Sequence, residues 1–468
     1  MNHQLDKDAA ALQQLLDSVK EQGLDYLRTL DTRPTSTNAR ISEYQHLPHH
    51  GLGAEGALQA FNQRLEPLIV ASSGPRYWGF VTGGTTPAAI AGDWLATLYD
   101  QNTQSVKGNG DNSAQIEMET MQLLLELFEL PQNYLGGFVT GATMSNFTAL
   151  AVARQWIGAQ KGLDFAKDGV TTPIKVLTAT PHSSALKSLA LLGIGSSNIV
   201  KVNVAEGNRE AIDLNDLNTQ INLLQGEPFL LISSGGTVNT VDFDDFEAIA
   251  QLKAKHNFWW HIDAAFGGFA ACSPTYKHLI NGWDKADSIT VDCHKWLNVP
   301  YESAVFLIQE KHRNLQVETF QNSNAPYLGD PLENFTYLNF LPENSRRLKA
   351  LPAWFTLMAY GKEGYRDMVE NNIRHAQQFG AFIKADDSFE LLAPVRLNTV
   401  CFTLSGTEGQ ANVTAFLQAV NDTGQVFMTP TVYQGKKGIR AAFVNWRTTS
   451  KDIEMVTEIM KNIFLKIR

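Results

Sequence analysis

Two apolar segments of the chain each end in polar residues that could do chemistry. Residues 258–266 run to a single carboxylate, Asp263, and residues 287–296 run to the pair His294 and Lys295. Both segments are typical of buried strands that carry a functional group at one end. A lysine amine can form an imine with an aldehyde, and a carboxylate can keep a pyridine nitrogen protonated. The two segments therefore indicate pyridoxal phosphate as a cofactor.

Residues 140–146, Thr-Gly-Ala-Thr-Met-Ser-Asn, form a third motif, which comes after an apolar stretch and opens a predicted helix. Small residues let the backbone approach a ligand, and amides at a helix N-terminus bind phosphate. An ordinary helix start capped by Thr or Ser would give the same pattern. The motif is therefore consistent with a phosphate site but does not establish one.

Two further residues come directly after predicted strands and could contact a flat cofactor ring. His182 could stack on the ring, although a lone histidine after a strand is more often an ordinary loop residue. Thr237 could place a hydroxyl beside the ring, although a plain Gly-Gly turn explains its motif equally well. Taken alone, Asp263 could be a helix N-cap and Lys295 a surface residue. The prediction of a cofactor site depends on the whole set.

The elements that must position these groups alternate between strands and helices from about residue 83 to 345. This alternation predicts an α/β fold with a mostly parallel sheet. Ligands of such sheets bind beyond the carboxyl ends of the strands, where Asp263 and Lys295 fall. The predicted strands are 175–179, 199–204, 229–233, 258–262, 288–291 and 304–309, and the predicted helices include 113–130 and 142–160.

The chain divides into three predicted parts: an N-terminal helical arm (1–82), a large cofactor-binding domain (83–350) and a small α+β domain (351–468). Apolar spacing in the arm predicts an amphipathic helix over 8–30, which packs either on another subunit or on its own domain. The small domain is predicted to contain helices at 353–384 (interrupted near 361–364), 411–422 and 450–466, and strands at 389–392, 399–404 and 438–445.

Composition limits the classes of partner. The chain has 468 residues, a formal net charge of −10 and three widely spaced cysteines. An acidic chain is poorly suited to nucleic acid or to an anionic membrane surface. No apolar run is long enough to predict a membrane span, and the cysteines predict neither disulfides nor zinc. We expect a cytoplasmic protein without nucleic-acid or membrane partners.

Two other patterns are expected to be coincidental. Residues 51–56 match a dinucleotide-binding pattern in letters, but the residues before them do not resemble a strand. His46, His49 and His50 lie in an irregular stretch without carboxylates or cysteines at ligand spacing. We expect no metal site.

The ordered set of His182, Thr237, Asp263 and the His294-Lys295 pair resembles the group II pyridoxal-phosphate-dependent decarboxylases, which include aromatic-L-amino-acid, histidine and glutamate decarboxylases. The resemblance extends from about residue 74 to the last helix. It implies the fold-type I, aspartate-aminotransferase-like architecture, a homodimer, and decarboxylation of an L-amino acid to an amine and carbon dioxide.

The resemblance implies a role for each residue around the cofactor ring. Lys295 would form the Schiff base and later assist proton transfer. Asp263 would pair with the pyridine nitrogen, while Ala265 and His182 would pack on opposite ring faces. Thr237 would approach the ring substituents.

The resemblance also assigns the phosphate and substrate contacts. Thr143 and Met144 would bind phosphate through backbone groups, with His294 nearby. Thr82 resembles a residue of the substrate pocket. Arg440 resembles an arginine near the substrate carboxylate, a task that suits a planar guanidinium.

Three features depart from the family pattern. Met144 stands where a hydroxyl residue is common, and Ser145 or Asn146 is expected to compensate. Asp292 and Cys293 replace Asn-Pro before the His-Lys pair. The catalytic loop is shortened; its proton-donating tyrosine is assigned first to Tyr327 and second to Tyr337.

The uncertain tyrosine leaves other reactions open. An aminotransferase or another pyridoxal-phosphate lyase would use the same Schiff base. A catalytically silent binding protein is a further alternative, which the intact set of site residues disfavours. Tyr77, Trp78 and Phe80 near Thr82 favour an aromatic or other apolar substrate, unless they are simply core residues.

Overall fold

The computed structural model describes residues 3–106, 110–321 and 335–467, and its strands form two sheets. The larger sheet contains β1 (Tyr134–Val139), β2 (Val176–Thr178), β3 (Ile199–Lys201), β4 (Phe229–Ser234), β5 (Phe258–Asp263), β6 (Ser288–Val291) and β7 (Ala304–Gln309). Their order across the sheet is β1-β7-β6-β5-β4-β2-β3. All pairings are parallel except those of β7, which is antiparallel to both of its neighbours. The predicted mostly parallel sheet is confirmed.

The central strands are buried on both faces, and most of their residues are apolar. Trp259 and Trp260 of β5 point to opposite faces, and both are fully buried, each in a different apolar cluster. All six predicted strands of this sheet are present. β1 was not predicted, since Gly136 and Gly137 interrupt its apolar run.

The smaller sheet is antiparallel and comes from the C-terminal part of the chain. Its strands are β8 (Phe389–Leu391), β9 (Thr399–Leu404), β10 (Thr429–Tyr433) and β11 (Lys436–Ala442), in the order β10-β11-β9-β8. The last predicted strand, 438–445, in fact begins two residues earlier and ends three residues earlier. It forms a hairpin with β10, which was not predicted.

Fourteen α-helices lie within the described ranges. They are α1 (His3–Ala10), α2 (Leu12–Arg28), α3 (Gly53–Arg64), α4 (Pro87–Tyr99), α5 (Ser113–Leu127), α6 (Ala142–Gln160), α7 (Phe165–Asp168), α8 (Ser183–Leu191), α9 (Leu214–Leu223), α10 (Phe246–Lys253), α11 (Arg313–Phe320), α12 (Ala350–Ala385), α13 (Gly406–Asp422) and α14 (Ser450–Ile467). The interruption expected near 361–364 occurs at Gly361, where φ is 55°. Among the described helices, none has the length and apolarity that crossing a membrane requires.

α12 connects the two sheets. Its residues Ala353 and Ile373 belong to the core of the larger sheet, whereas Ala376 and Phe379, nearer its C-terminus, belong to the core of the smaller one. The predicted boundary at residue 351 falls at the start of this shared helix. The three-part division of the chain stays a prediction.

The N-terminal arm is unusually exposed. The single helix predicted over 8–30 is two helices, α1 and α2, separated at Ala11, and neither has a buried residue. Large apolar side chains, among them Leu5, Leu12 and Leu16, face outward with 45–62% of their surface exposed. The arm therefore offers an apolar face that its own chain does not cover.

A buried ion pair connects the larger sheet to the segment before α12. Arg346 Nη2 lies 2.6 Å from Glu117 Oε1, and the same nitrogen donates to the carbonyl of Phe138 at 2.8 Å. The Glu117 oxygen also accepts from the Phe138 amide at 2.7 Å. Each charged group of the pair therefore also has a backbone hydrogen-bond partner, which a buried ion pair requires.

We predict that Arg346→Met lowers the free energy of unfolding by about 3–5 kcal/mol, because Glu117 is left buried without a cation. Arg347→Met is the matched control, because the neighbouring Arg347 pairs with Asp93 but has a side chain that is 40% exposed. This variant should lose no more than about 1 kcal/mol of unfolding free energy. Denaturant unfolding of both variants measures the difference. Equal losses would contradict this account of the ion pair.

Candidate active site

Lys295 lies on a short π-helical turn, Cys293–Leu297, directly after β6. The turn ends at Asn298, whose φ of 56° is a left-handed conformation that asparagine tolerates better than most residues. The Asn298 side chain accepts from the amides of Gly84 (3.0 Å) and Trp446 (3.1 Å) and donates to the carbonyl of Val444 (2.8 Å). One side chain thus fixes the lysine turn against two distant parts of the chain.

Asp292 is the direct partner of the Lys295 amine. Its Oδ2 lies 3.1 Å from Lys295 Nζ, and its Oδ1 lies 3.2 Å from His294 Nε2 and accepts from the Ala142 amide at 3.1 Å. Burial is the largest influence on the pKa of Asp292 and raises it. The positive charge of Lys295, together with the hydrogen bonds from Lys295 and His294, outweighs burial and holds that pKa below its usual value.

Asp263, at the end of β5, has no protein cation within ion-pair distance in the part of the chain that the structure describes. Its Oδ2 accepts from Asn146 Nδ2 at 2.9 Å and its Oδ1 from the Ala265 amide at 3.3 Å. Asn146 is itself oriented by His261, whose Nε2 lies 2.9 Å from Asn146 Oδ1. Burial lowers the pKa of His261 to about 4, so this ring is a neutral donor at ordinary pH. A carboxylate held this way fits the protonated nitrogen of a pyridine ring.

His182 caps the start of α8 with its ring. Its Nδ1 accepts from the Ser184 amide at 3.2 Å and lies 2.7 Å from the Ser184 hydroxyl, which in turn accepts from Asn146 Nδ2 at 3.1 Å. Burial lowers the pKa of His182. Asn146 therefore links Asp263, which is expected to pair with the ring nitrogen, to His182, which is expected to stack on the ring.

The N-terminus of α6 has two free amides. The backbone N–H groups of Thr143 and Met144 make no hydrogen bond to any other described residue, while the Ser145 amide bonds to the Gly141 carbonyl. Two adjacent amides at a helix N-terminus fit a phosphate group. The expectation that Ser145 or Asn146 supplies the missing hydroxyl contact is wrong. The Ser145 hydroxyl donates to the Val305 carbonyl at 2.9 Å, and the Asn146 amide is turned toward Asp263.

Six predicted site residues line one cavity of about 300 Å³. They are His182, Thr237, Asp263, Ala265, Lys295 and Arg440. The remaining wall is largely apolar and includes Phe80, Val81, Ile232, Val238 and Phe266. His294, Thr143 and Met144 do not line this cavity. Asp292 connects the cavity to them, since it contacts Lys295, His294 and the Ala142 amide at the start of α6.

Two predicted residues on the cavity wall make hydrogen bonds that the sequence did not predict. The Thr237 hydroxyl donates to Glu210 Oε2 at 2.5 Å and accepts from the Asp242 amide, so it is not free for a ring substituent. Arg440 donates through Nη1 to the Val238 carbonyl at 2.9 Å, and its buried Nε has no partner among the described residues. Burial lowers the pKa of Arg440.

The remaining predicted residues are separated from the cavity. Thr82 is buried beside Tyr301, which stacks on the His294 ring at 4.2 Å. Tyr337 is 1% exposed, its ring lying under the Arg346 guanidinium at 4.4 Å, and it does not line the cavity. Trp78 is a core residue. Tyr327 lies outside the described residues.

Comparisons with known proteins agree with this geometry. The pyridoxal-dependent decarboxylase conserved domain matches residues 40–405. The chain belongs to the pyridoxal-dependent decarboxylase family. It is an amino-acid decarboxylase of fold type I, and its cofactor is pyridoxal 5′-phosphate. The aminotransferase or other-lyase alternative receives no support.

Individual relatives cover nearly the whole chain. An aromatic-L-amino-acid decarboxylase of Bacillus atrophaeus is 26% identical and covers 100% of this chain and 97% of its own length. A tryptophan decarboxylase of Camptotheca acuminata is 24% identical over 93% of this chain and 90% of its own. The solved tryptophan decarboxylase of Catharanthus roseus has a TM-score of 0.87 at 19% identity, covering 98% and 99% of the two chains. The decarboxylase fold is thus shared along the full length.

We predict that Asn146→Ala weakens binding of pyridoxal phosphate about tenfold or more, because Asp263 loses a hydrogen bond that a charged acceptor makes strong. Gln155→Ala is the control: this buried amide lies on the same helix but bonds to Asp164 and Ala166 instead. Titration of cofactor-free protein with pyridoxal phosphate measures both variants. Unchanged affinity in Asn146→Ala, or an equal loss in Gln155→Ala, would contradict the role of Asn146.

Proposed function

We propose that this decarboxylase acts on an aromatic L-amino acid and releases carbon dioxide and the corresponding amine. The observation that carries the proposal is the cavity itself. Four polar groups, those of Lys295, Asp263, His182 and Arg440, face an otherwise largely apolar wall. An aromatic side chain suits such a wall, whereas a charged one would be buried without a partner. Relatives named for aromatic-L-amino-acid and tryptophan decarboxylation support the same substrate class.

In this proposal each polar residue serves one part of the reaction. Pyridoxal phosphate supplies an aldehyde for covalent attachment and a ring that accepts the electrons left when carbon dioxide departs. Lys295 provides the amine that holds the cofactor and afterwards a group that moves protons. Asp263 accepts the hydrogen bond of the ring nitrogen, and its negative charge keeps that nitrogen protonated. His182 and Ala265 would pack on the two faces of the ring.

The phosphate and the substrate carboxylate take separate sites. The free amides of Thr143 and Met144 bind phosphate, with His294 beside them. Arg440 binds the α-carboxylate of the substrate, since its guanidinium is oriented by Val238 and keeps an unpartnered Nε. Thr82 stays a predicted substrate-pocket residue, although it does not line the cavity and its side chain is hydrogen-bonded to Tyr301. Tyr327 stays our predicted donor of the proton that replaces carbon dioxide.

The substrate proposal is tested by measuring carbon dioxide and amine release from a panel of L-amino acids. For at least one of tryptophan, tyrosine and phenylalanine, kcat/KM should exceed that for glutamate and lysine about 100-fold or more, because a charged side chain finds no partner on the apolar wall. Lys295→Ala is the control and should show neither amine release nor a visible absorption band. Glutamate or lysine as the best substrate would overturn the aromatic assignment.

We also propose that the protein is a homodimer. The apolar face of α1 and α2 is exposed, and large apolar side chains beside the site, Phe80 and Tyr301, are 61% and 60% exposed. Exposed apolar surface of this extent is typical of an interface. A second copy would cover both regions and could complete the cavity.

We predict that the protein sediments at twice the chain mass and that Leu12→Glu combined with Leu16→Glu shifts it toward monomer. The reason is that two charges would be buried at the interface. Leu223→Glu is the control, at an exposed leucine of α9. Analytical ultracentrifugation distinguishes the species. A wild-type monomer, or dissociation caused equally by Leu223→Glu, would contradict the proposed interface.

A cytoplasmic location completes the proposal. The three cysteines, Cys272, Cys293 and Cys401, are free thiols, and the last two are buried. Such thiols suit a reducing compartment. The net charge of −10 supports the absence of a nucleic-acid partner.

A further inference from the structure

The carboxylate beside the catalytic lysine is a distinctive feature of this chain. Asp292 is 3% exposed and contacts three groups: the Lys295 amine at 3.1 Å, His294 Nε2 at 3.2 Å and the Ala142 amide at 3.1 Å. It therefore lies between the lysine and the helix end that offers two free amides. A buried carboxylate in this position needs a cation.

Lys295 is that cation. The His294 ring accepts a hydrogen bond from the Ser303 amide at Nδ1 (3.2 Å), which uses the lone pair that a second ring proton would need. His294 therefore serves Asp292 as a hydrogen-bond donor through Nε2. Within the described ranges, no other lysine or arginine lies within ion-pair distance of Asp292.

We propose that Asp292 is a positioning residue for Lys295: it binds the lysine as an ammonium whenever the lysine is not attached to the cofactor, and so sets the pH range in which the cofactor attaches. This inference rests on the proposed role of Lys295. Attachment replaces the aldehyde oxygen of pyridoxal phosphate with the lysine nitrogen and releases one water. It needs the neutral amine, so the ammonium first loses a proton to solvent.

Other titratable groups near Asp292 and Lys295 also bear on the proton affinity of the lysine. Cys293 and Tyr301 lie near Asp292; burial of the thiol and partial burial of the phenol raise the pKa of each, so both are uncharged near neutral pH. His182, Asp263 and Arg440 share the cavity with Lys295. Among the described groups, Asp292 alone forms an ion pair with the lysine, while the Phe266 ring lies 5.5 Å from Nζ. Removing the Asp292 charge should therefore change the proton affinity of the lysine most.

The test is the rate at which a visible absorption band forms when cofactor-free protein is mixed with pyridoxal phosphate, measured against pH. Asp292→Asn should move the midpoint of this profile down by about one pH unit or more, because the ammonium loses its anion. At a pH below both midpoints, that shift makes attachment about tenfold faster. No turnover is needed for this measurement.

Asp287→Asn is a matched control. Asp287 immediately precedes β6 and Asp292 comes immediately after it; both are buried carboxylates in ion pairs, but Asp287 pairs with Lys253, Lys311 and His312. This variant should lose stability and keep the wild-type midpoint. An unchanged midpoint in Asp292→Asn, or the same shift in Asp287→Asn, would overturn the proposal. A band that persists in Lys295→Ala would instead refute the assignment of the attachment lysine.

A second measurement needs no change at Asp292. In cofactor-free Lys295→Met the carboxylate has lost its cation, so its pKa should rise above that in the unfolded chain. The folded state then binds more protons, and resistance to denaturant should increase as pH falls from about 8 to about 6. The increase is measured relative to the wild-type protein, in which other buried groups such as Asp244, whose pKa burial raises to about 7, contribute a pH dependence of their own. Identical pH dependence in the two proteins would overturn the proposal.

Discussion

The register between β5 and β6 is the constraint on which the site depends. Asp263 pairs with Thr290 across these parallel strands, so both strands end at the same edge of the sheet. From there Asp263 faces one side of the cavity, and the turn after β6 delivers Lys295 to it. A slip of one residue would move every side chain of a strand to the opposite face. Hydrogen bonds on both faces oppose such a slip, since Trp259 Nε1 donates to Ser288 at 2.9 Å and Trp260 Nε1 donates to Ser233 at 2.7 Å.

Because the sheet is buried, every polar group at its edge must find a partner. The partners form one continuous chain. Ser288 lies 2.9 Å from His261, which bonds to Asn146, which in turn bonds to Asp263 and, through Ser184, reaches His182. Each group in this network has a fixed donor or acceptor role, so Asp263 and His182, the two residues proposed to contact the cofactor ring, cannot move independently. The proposed orientation of the ring then depends on residues that do not contact it.

The sequence predicted those parts of the site that are local in the chain. Buried strands with a polar end are recognisable from composition alone, and Asp263 and Lys295 were found that way. The contact of Asp292 with Lys295 was not predicted, because it depends on the π-helical turn between them. The hydrogen bonds of the Asn298 side chain join residues more than 140 positions apart and leave no local pattern in the sequence. The hydrogen bond of Thr237 to Glu210 was not predicted for the same reason, since Glu210 lies on a different segment.

The segment that contributes Phe80 and Val81 to the cavity wall lies against the turn that carries Lys295. Phe80 and Val81 have φ angles of 55° and 58°, a left-handed conformation that is costly for a β-branched residue. Two glycines, Gly83 and Gly84, follow them. A Cβ atom at Gly83 would lie 1.9 Å from the carbonyl oxygen of Lys295, so only glycine permits this approach, and the Gly84 amide is held by Asn298. The segment that carries Phe80 and Val81 and the lysine turn are therefore packed against each other, and both contribute to the wall of the cavity.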